Sequence, residues 1–490
     1  MLDIEELSSH FFKEGSFSVE FKFFNDEVNQ DIYSLLVKIL SQFDQLFLIE
    51  VLNTILKEII TNSVKANAKR LFFEREKLDI FNSKDYSKGM KDFHSEVTFK
   101  WSEQEDILSN SIYYVKFMGG VKDEIVYFLV ENNVGILPDE LKRIQSRLEC
   151  AKKYNDLSDA FLDMGDTQES AGLGLILTQI LLKNSGVGIK NFKIESNEAK
   201  TLVSLNVPRN TVPIIVNNKF NEKILNEIES LPPLQERITR LITLCNNPET
   251  TIQKLSGEIE KDPALSAELL KLSNSTLFST RNKVATISMA IRILGIQNIK
   301  NVLYASEVRK ILAAKYKRIQ SVWDHSYKCS FFAKQVGVDH SRAKISELAA
   351  TGGLLHDIGK LILLSLDKEL VAQIDKLKLK EKSSSVVVEE MSVGIGHPEI
   401  GAKLAGKWGF PEELVTIIQY HHRPMLAPEK YKDLVEVVYL ANIMVDTLDD
   451  KASYYTVEQE TLKAFKLDSE ESYKKYIEKL NALYQSNTVE

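Results

Sequence analysis

Hydrophobic and polar positions follow different patterns in the two halves of the chain. From about residue 16 to residue 208, strictly alternating stretches predict β-strands, and apolar residues at helical spacing from Phe43 to Ala68 predict a long helix. The alternating stretches are SFSVEFKFF, SIYYVKFMG, EIVYFLVEN and KTLVSLNVP. This mixture predicts an α/β sandwich for the first half.

After Pro208 the alternation gives way to helical spacing, which predicts an all-α second half. Asp262 before Pro263 predicts one helix start, and Thr286 and Gly295 predict the two ends of another helix. The stretch GGLLHDIGKLILL is apolar on all faces and predicts a single buried helix. The predicted domains are 1–208 with a surface insertion at about 77–101, a linker at 209–225, a helical domain at 226–450 and a helical extension at 451–490.

Composition narrows the classes of function. The 490 residues exceed what one hydrophobic core organises, and 44% hydrophobic with 27% charged residues is typical of globular proteins. The 62 basic against 69 acidic residues leave a net charge of -7, which argues against binding to the nucleic-acid backbone. The start MLDIEELSSH lacks a secretory signal, and no apolar stretch approaches the ~18 residues of a membrane span, so we expect a cytoplasmic protein without membrane insertion.

Several positions of the first half carry groups that suit a nucleotide. Glu58 and Asn62 are four residues apart and share a face of the predicted helix, where an amide oxygen and a carboxylate can serve Mg²⁺ and its water shell. Glu131 ends a buried strand and can accept the amino group of adenine. Gly172 and Gly174 open an apolar helix, whose first backbone amides can hold phosphate oxygens.

The order of these features resembles the GHKL ATPase superfamily of gyrase, heat-shock chaperones, histidine kinases and mismatch-repair ATPases over about residues 30–208. The resemblance implies a Bergerat-type α/β sandwich that binds ATP, with Mg²⁺ held by Asn62, under a lid between about 140 and 170. Glu58 would be the catalytic residue of an ATPase. The positions that match the superfamily's asparagine box, two glycine boxes and closing threonine are Glu58, Asn62, Lys65, Glu131, Asn132, Gly135, Gly172, Gly174 and Thr201.

This half departs from the superfamily's pattern in both glycine boxes. Glu131 stands where the pattern has aspartate, Asn133 where it has glycine, and Glu169 and Ser170 where it has further glycines. Two interpretations therefore stay open, a nucleotide-binding module and a nucleotide-free structural descendant of the same fold. Histidine autokinase activity is not expected, because His10 is the sole histidine before the matching region and no acidic neighbour follows it.

Histidines concentrate in the second half, where six of the eight lie between residues 325 and 422. Neutral imidazole together with carboxylate is a usual ligand set for a first-row divalent ion. His356 and Asp357 are adjacent in the predicted buried helix, and a charged aspartate in such a place needs a partner or a metal. The pattern therefore indicates a candidate metal site.

The second half resembles the HD superfamily of metal-dependent phosphohydrolases, and within it the HDOD branch, over about residues 226–445. Matching segments are LPPL, DPALSAELLKLSNS, TISMAIRILG, WDHS, GGLLHDIGK and GHPEIGAKLAGKWGFPEELVTIIQYHH. The resemblance implies an α-helical bundle of a branch whose members act largely as regulatory domains that bind other signalling proteins. It also implies a divalent transition metal such as Fe or Mn, for which the matching ligands are His325, His356, Asp357, His397, His421 and His422.

The second half departs from catalytic HD enzymes at their fourth ligand. Asn442 stands where those enzymes have an aspartate, and Asp446 follows one turn later on the same helix face. The segment HHRPMLAPEKY has no GYP motif, so hydrolysis of cyclic dinucleotides is not expected. Three interpretations stay open: a phosphohydrolase with Asp357 at its catalytic centre, a metal-bound domain without turnover, and a metal-free scaffold.

Together the two halves predict a bacterial-type signalling protein in which an ATP-binding module controls the HDOD domain and its protein partners. Nucleotide would order the lid and shift an interface, as in other order–disorder switches. The alternatives are a metal-dependent phosphodiesterase regulated by the first half, and an inactive scaffold with both sites degenerate. A homodimer is compatible with each of them.

Overall fold

The computed structural model describes residues 2–93, 101–154, 173–212, 219–274, 284–316, 320–365 and 385–488. The chain divides into two units. We call them the N-terminal unit, Met1–Val216 with Glu381–Val387, and the helical unit, Asn217–Lys380 with Val388–Glu490.

A five-stranded antiparallel sheet organises the N-terminal unit. Its order is β1-β2-β3-β5-β4, and its strands are β1 (Ser16–Phe21), β2 (Val115–Lys122), β3 (Ile125–Asn132), β4 (Phe192–Ser196) and β5 (Thr201–Pro208). Every second residue of β3 and of β5 is buried, as the alternation of the sequence predicts. The sequence did not reveal β4, whose one buried residue is Phe192.

Helices accompany this sheet, which confirms a mixed α/β unit. Its described helices are α1 (Ile4–Glu14), α2 (Asp26–Ser41), α3 (Ile49–Arg75), α4 (Ser83–Phe93), α5 (Gln104–Ser109), α6 (Pro138–Ala151) and α7 (Leu173–Asn184). The long helix α3 contacts β2 and β3 and buries Leu52, Ile55, Ile60 and Val64. Burial of these side chains supplies the hydrophobic stabilisation of the layer.

Part of the predicted surface insertion at 77–101 is helical. Helix α4 lies within it and buries Phe93, whose ring meets Phe72 edge to face at a centroid distance of 5.7 Å. A side chain at Gly89 would come within 2.6 Å of the Phe73 ring. Glycine and phenylalanine therefore dock α4 against α3, while most of the other residues of this helix are exposed.

The helical unit consists of helices in all of its described elements, which confirms the all-α prediction. Its helices, of which α17 begins in the N-terminal unit, are α8 (Lys219–Ser230), α9 (Glu236–Asn246), α10 (Ile252–Glu260), α11 (Pro263–Ser273), α12 (Ile287–Leu294), α13 (Ile296–Lys315), α14 (Gln320–Asp339), α15 (Ala343–Leu355), α16 (Ile358–Leu363), α17 (Ser385–Val393), α18 (His397–Lys407), α19 (Glu412–Tyr420), α20 (Lys432–Leu448), α21 (Gln459–Ala464) and α22 (Glu470–Thr488). Helix α8 occupies part of the segment predicted as a linker.

Local signals place several helix ends where the sequence predicts them. The Asp262 carboxylate accepts a hydrogen bond from the Leu265 amide at the start of α11. The Thr286 hydroxyl accepts one from the Met289 amide at the start of α12, and Gly295 follows its end with φ +82°. Such caps satisfy amides that lack a partner inside the helix.

The predicted single helix over GGLLHDIGKLILL is wrong, because the helix is interrupted at His356 and Asp357. Helix α15 ends at Leu355, and α16 begins at Ile358 after Asp357 with φ -98° and ψ 11°. Apolar residues flank the break on both sides, so the hydrophobic pattern carries no sign of it. The interruption puts two consecutive polar side chains into the interior.

Two glycines allow the close helix packing around this break. A Cβ at Gly353 would lie 2.9 Å from the Ser330 Cα, so α15 approaches α14 backbone to backbone. A Cβ at Gly359 would overlap the His397 carbonyl, so α16 lies directly against the start of α18.

Among the described helices, none combines the length and the apolar character that a membrane crossing requires.

Candidate metal centre

Four helix ends and two helix interiors bring the predicted metal ligands together. His356 and Asp357 lie at the break between α15 and α16, His397 is the first residue of α18, and His421 and His422 follow the end of α19. His325 and Asn442 project from within α14 and α20, respectively. His356, Asp357, His397 and His421 are at most 1% exposed.

The ring orientation of three histidines is fixed by hydrogen bonds at Nδ1. The acceptors are the Gly353 carbonyl for His356 and the Ile418 carbonyl for His421, both at 2.8 Å. For His397 the acceptor is a carboxylate oxygen of Glu389, at 2.7 Å, which also accepts the His397 amide at 2.8 Å. Carbonyl and carboxylate oxygens only accept, so each Nδ1 donates, and in a neutral ring the Nε2 then presents a lone pair.

These lone pairs face one another around Asp357. His397 Nε2 and His421 Nε2 are 3.2 Å apart, and they lie 3.3 Å and 3.6 Å from Asp357 Oδ1. His356 Nε2 lies 3.4 Å from Asp357 Oδ2. In the tautomers with the proton on Nδ1, no proton lies between the two imidazole nitrogens, and a cation that accepts their lone pairs would stabilise the arrangement.

The electrostatics favour neutral imidazoles beside an ionised carboxylate. Burial lowers the pKa of His356, His421 and His422, which keeps their rings neutral. For Asp357 burial favours the neutral acid, but His356 and Lys360 outweigh it and hold its pKa well below the ordinary value. Neutral imidazole and carboxylate are the protonation states that coordinate metals.

Three atoms of the cluster are buried without a hydrogen-bond partner: His356 Nε2, Asp357 Oδ1 and His422 Nε2. Buried polar atoms are nearly always paired, so three unpaired polar atoms in one place require an explanation. A divalent transition metal ion fits them, because their donor types are those that Fe, Mn and Zn prefer. Donor atoms within 4.8 Å of one another form two sets that share Asp357, namely Asp357, His397, His421 and His422, and His325, His356 and Asp357.

His325 lies at the edge of the cluster between two helices. Its Nε2 is 2.9 Å from the Asn442 amide oxygen and 3.8 Å from Asp357 Oδ2. Its Nδ1 is 3.8 Å from the Asp446 carboxylate, and Asp449 completes a third set of donors with His325 and Asp446. The Asn442 amide nitrogen is buried without a partner.

Sequence reasoning missed two residues that contact the cluster. Lys360 donates to Asp357 Oδ2 at 2.7 Å, and burial disfavours its charge, but Asp357 and other carboxylates raise its pKa. Glu389, fully buried, holds the His397 ring. The available signal was chemical, because charged residues within the apolar stretches HDIGKLILL and SVVVEEMSV need buried partners.

The nucleotide-site candidates of the N-terminal unit form two groups. In the first, the Asn62 amide donates to the Glu58 carboxylate at 2.8 Å on α3, with Lys65 exposed further along that helix. A Cβ at Gly174 would overlap the Glu58 carboxylate, so this group includes the first turn of α7. Gly172 and about half of the predicted lid, from residue 155 onward, lie outside the described residues.

The second group lies at the ends of β3 and β5. Glu131 pairs with Lys200 at 2.7 Å, and the Thr201 hydroxyl donates to the Val134 carbonyl at 2.8 Å. Buried Asn132 donates to Asn67 on α3 at 3.3 Å, and a Cβ at Gly135 would overlap the Asn197 carbonyl. These candidates therefore pair with protein atoms and with one another.

Comparison with protein families finds a match within the helical unit. Residues 231–424 match the model of the HDOD domain, which confirms that resemblance for this part of the chain. An uncharacterized protein of Treponema pallidum (strain Nichols) is 28% identical over 431 residues, 88% of this chain and 84% of its own length.

Solved structures that resemble part of the chain include an HDOD domain protein of unknown function from Geobacter sulfurreducens, 21% identical, with coverage of 54% of this chain and 93% of that one and a TM-score of 0.44. A proposed phosphohydrolase of Shewanella amazonensis SB2B is 26% identical, with coverage of 53% and 94% and a TM-score of 0.42. A proposed signal transduction protein of Marinobacter aquaeolei VT8 is 19% identical, with coverage of 59% and 73% and a TM-score of 0.43.

Proposed function

We propose that the chain is a signalling protein whose HDOD domain binds a divalent transition metal ion in the histidine cluster. In its metal-bound form this helical domain binds other signalling proteins. One observation carries the metal proposal. The Nε2 atoms of His397 and His421 lie 3.2 Å apart, and the Nδ1 proton of each ring is held elsewhere. A metal ion that accepts both Nε2 lone pairs would stabilise this arrangement.

The residues around the ion would divide into ligands and supports. Asp357, His397, His421 and His422 form the largest set of converging donors. Glu389 keeps the His397 proton on Nδ1, a second contact of the kind that orients metal-bound histidines. A bound ion would supply Lewis-acid chemistry, that is, polarisation of a phosphoryl oxygen and activation of water.

Titration of the metal-stripped protein with Mn²⁺, together with elemental analysis of protein purified without chelator, tests the proposal. We expect saturable Mn²⁺ binding that is lost in His421→Ala. His10→Ala removes an exposed histidine of the other unit and is the matched control. Equal binding by wild type and His421→Ala, or no binding by either, would contradict the metal proposal.

Phosphoester hydrolysis is a second candidate activity of the same cluster. The observation in its favour is Lys360, a cation that contacts Asp357 and that can also attract the anionic oxygens of a phosphoester. A screen of phosphomonoesters and phosphodiesters with Mn²⁺, Mg²⁺ or Fe²⁺ tests it. Turnover that disappears in Asp357→Ala supports hydrolysis, and no turnover sensitive to this change leaves the regulatory role.

For the N-terminal unit the hypothesis of ATP with Mg²⁺ has one geometric observation in its favour. Glu58 and Asn62 lie beside the first turn of α7, so groups matching the asparagine box and the second glycine box meet in space. Calorimetric titration with Mg²⁺ and ATP decides it. Binding that is lost in Asn62→Ala supports a nucleotide-controlled switch, and its absence supports a structural descendant of the ATPase fold.

A further inference from the structure

The edge of the sheet at β4 carries one charge of each sign in a symmetric arrangement. Strand β4 is the last in the sheet order, and among the described strands it pairs with β5 alone. Its sequence is FKIES, so Lys193 and Glu195 flank Ile194 at equal distances. Both charged side chains are exposed, and neither makes an ion pair with a described residue.

The backbone of β4 offers hydrogen-bonding groups at the same edge. Where β4 turns into β5, the Asn197 amide donates to the Lys200 carbonyl at 3.0 Å. Hydrogen-bonded and non-hydrogen-bonded pairs alternate along an antiparallel ladder, so Glu195 and Lys193 direct their N–H and C=O groups toward β5. The N–H and C=O groups of Ile194 therefore point to the free edge, where a further strand can pair.

An antiparallel second copy of β4 fits this edge when the two Ile194 residues lie opposite each other. They then exchange both of their outward hydrogen bonds, and Lys193 of each chain lies opposite Glu195 of the other. Opposite charges that face each other across two strands stabilise the pairing, and like charges destabilise it. A single twofold axis through Ile194 produces both ion pairs, as an interface between identical surfaces requires.

This pattern differs from that of an edge protected against pairing. Protected edges commonly carry lysine, whose charges repel those of a second identical edge. Strand β4 instead places a positive and a negative charge where each meets its opposite. The other edge strand, β1, has Glu20 as its one charged residue, so two copies of β1 form no opposite-charge pair between strand residues.

We propose that two copies of this chain associate through their β4 edges as an antiparallel, twofold-symmetric pair, with Lys193 of each chain opposite Glu195 of the other. The two five-stranded sheets then form one continuous sheet. The pairing belongs to the N-terminal unit and does not depend on metal binding in the helical unit. Each dimer carries two HDOD domains, so a partner with two binding motifs would bind it with increased avidity.

Sedimentation equilibrium of the full-length protein over a range of concentrations tests the pairing. We expect wild type to approach twice the chain mass of 55.7 kDa. Lys193→Glu and Glu195→Lys each replace two opposite-charge pairs by two like-charge pairs, so each should weaken dimerisation about tenfold. The double variant with both changes restores opposite charges and should dimerise within about threefold of wild type.

Two further variants separate this edge from the rest of the molecule. Ile194→Pro removes an N–H that points away from β5, so it should abolish the dimer and leave the β4–β5 ladder in place. Glu20→Lys changes the charge of an exposed residue on the other edge strand and should dimerise as wild type does. Circular dichroism of each variant shows whether it is folded.

The measurements can overturn the proposal in several ways. Wild type that stays monomeric at every concentration would contradict it, and so would a dimer that the two single charge reversals leave unchanged. A double variant that dimerises no better than the single ones would show that Lys193 and Glu195 do not face each other. Dissociation in Glu20→Lys, with the β4 variants unaffected, would place the interface at β1.

Discussion

The candidate residues of the two units differ in how their polar atoms are satisfied. In the N-terminal unit Asn62 donates to Glu58, Glu131 pairs with Lys200, and Thr201 donates to a backbone carbonyl. In the helical unit the candidate metal-ligating atoms around Asp357 are buried and face one another, and several of them have no hydrogen-bond partner. Sequence motifs marked both places, more specifically in the helical unit, and the pairing of their atoms also separates them.

The difference has an energetic meaning. A buried polar atom without a partner costs roughly 1–3 kcal/mol, and the cluster contains three such atoms on His356, Asp357 and His422. A metal ion bound to these atoms would offset that cost. In the N-terminal unit the hydrogen bonds are already made, so a ligand would have to replace them.

The largest effect should follow removal of the carboxylate that both donor sets share. We expect Asp357→Asn to lower Mn²⁺ affinity by more than about 100-fold, because even residues that only support a ligand are worth about 10- to 100-fold. Isothermal titration measures it. Asp433→Asn, which removes an exposed carboxylate paired with Arg342 in the same unit, should bind as wild type does. Equal losses in the two variants would remove the distinction between the cluster and any other acidic site.

A smaller effect is expected from the support of His397. Glu389→Gln weakens the acceptor of the Nδ1 proton, and we expect Mn²⁺ affinity to fall about tenfold. Glu390→Gln is the matched control, because the Glu390 carboxylate is next in sequence but pairs with Arg423, at 2.8 Å, and not with His397. If Glu389→Gln and Glu390→Gln bind equally well, the hydrogen bond at His397 does not orient a ligand.

In the N-terminal unit a substitution should improve binding if nucleotide binds at all. The Glu58 carboxylate lies against Gly174 at the start of α7, where a phosphate would meet the helix amides. Glu58→Gln removes its charge, and we expect Mg²⁺-ATP affinity to rise by up to about fivefold, the worth of one charge at a helix N-terminus. Titration of the variant beside Glu124→Gln, an exposed carboxylate change elsewhere in the unit, measures it. If none of these proteins binds Mg²⁺-ATP, the candidate residues of the N-terminal unit have no nucleotide ligand, in full contrast to the metal binding proposed for the helical unit.

The parts of the fold that local chemistry decides could be predicted from the sequence. The start of α12 at Thr286 and its end before Gly295 depend on residues three or four positions apart. The alternation of β3 and β5 follows from a sheet with one buried face. The histidines and Asp357 could be named because their chemistry is rare in an apolar bundle.

Features that depend on packing between distant segments could not be predicted from the sequence. The break at His356 lies in a stretch apolar on all faces, and beyond it α16 packs against the start of α18 at Gly359. The contact of Glu389 with His397, and that of Asn442 with His325 from 117 positions away, appear only in three dimensions. Strand β4 has too few buried positions to show a period.

The smallest effect concerns His340, which shows how a histidine outside the cluster behaves. Its ring lies edge to face against Phe465 and Tyr476, and burial lowers its pKa, in the same direction as Arg342 and against Asp339. The unfolded chain takes up this proton near the ordinary pKa of about 6.5, and the folded chain does so only at lower pH. The stability that His340 contributes is therefore fully present above about pH 6.5 and decreases as the pH falls below it.

His340→Phe keeps the ring contacts and removes the titration, while the cluster histidines remain in both proteins. Thermal unfolding between about pH 7.5 and 5.5 should therefore show a smaller fall in Tm for His340→Phe than for wild type. The measurement is made on metal-stripped protein, so that loss of a bound ion at low pH does not contribute. An equal fall in both proteins would mean that the acid sensitivity arises elsewhere, foremost from the rings around Asp357, whose lowered pKa values act in the same direction.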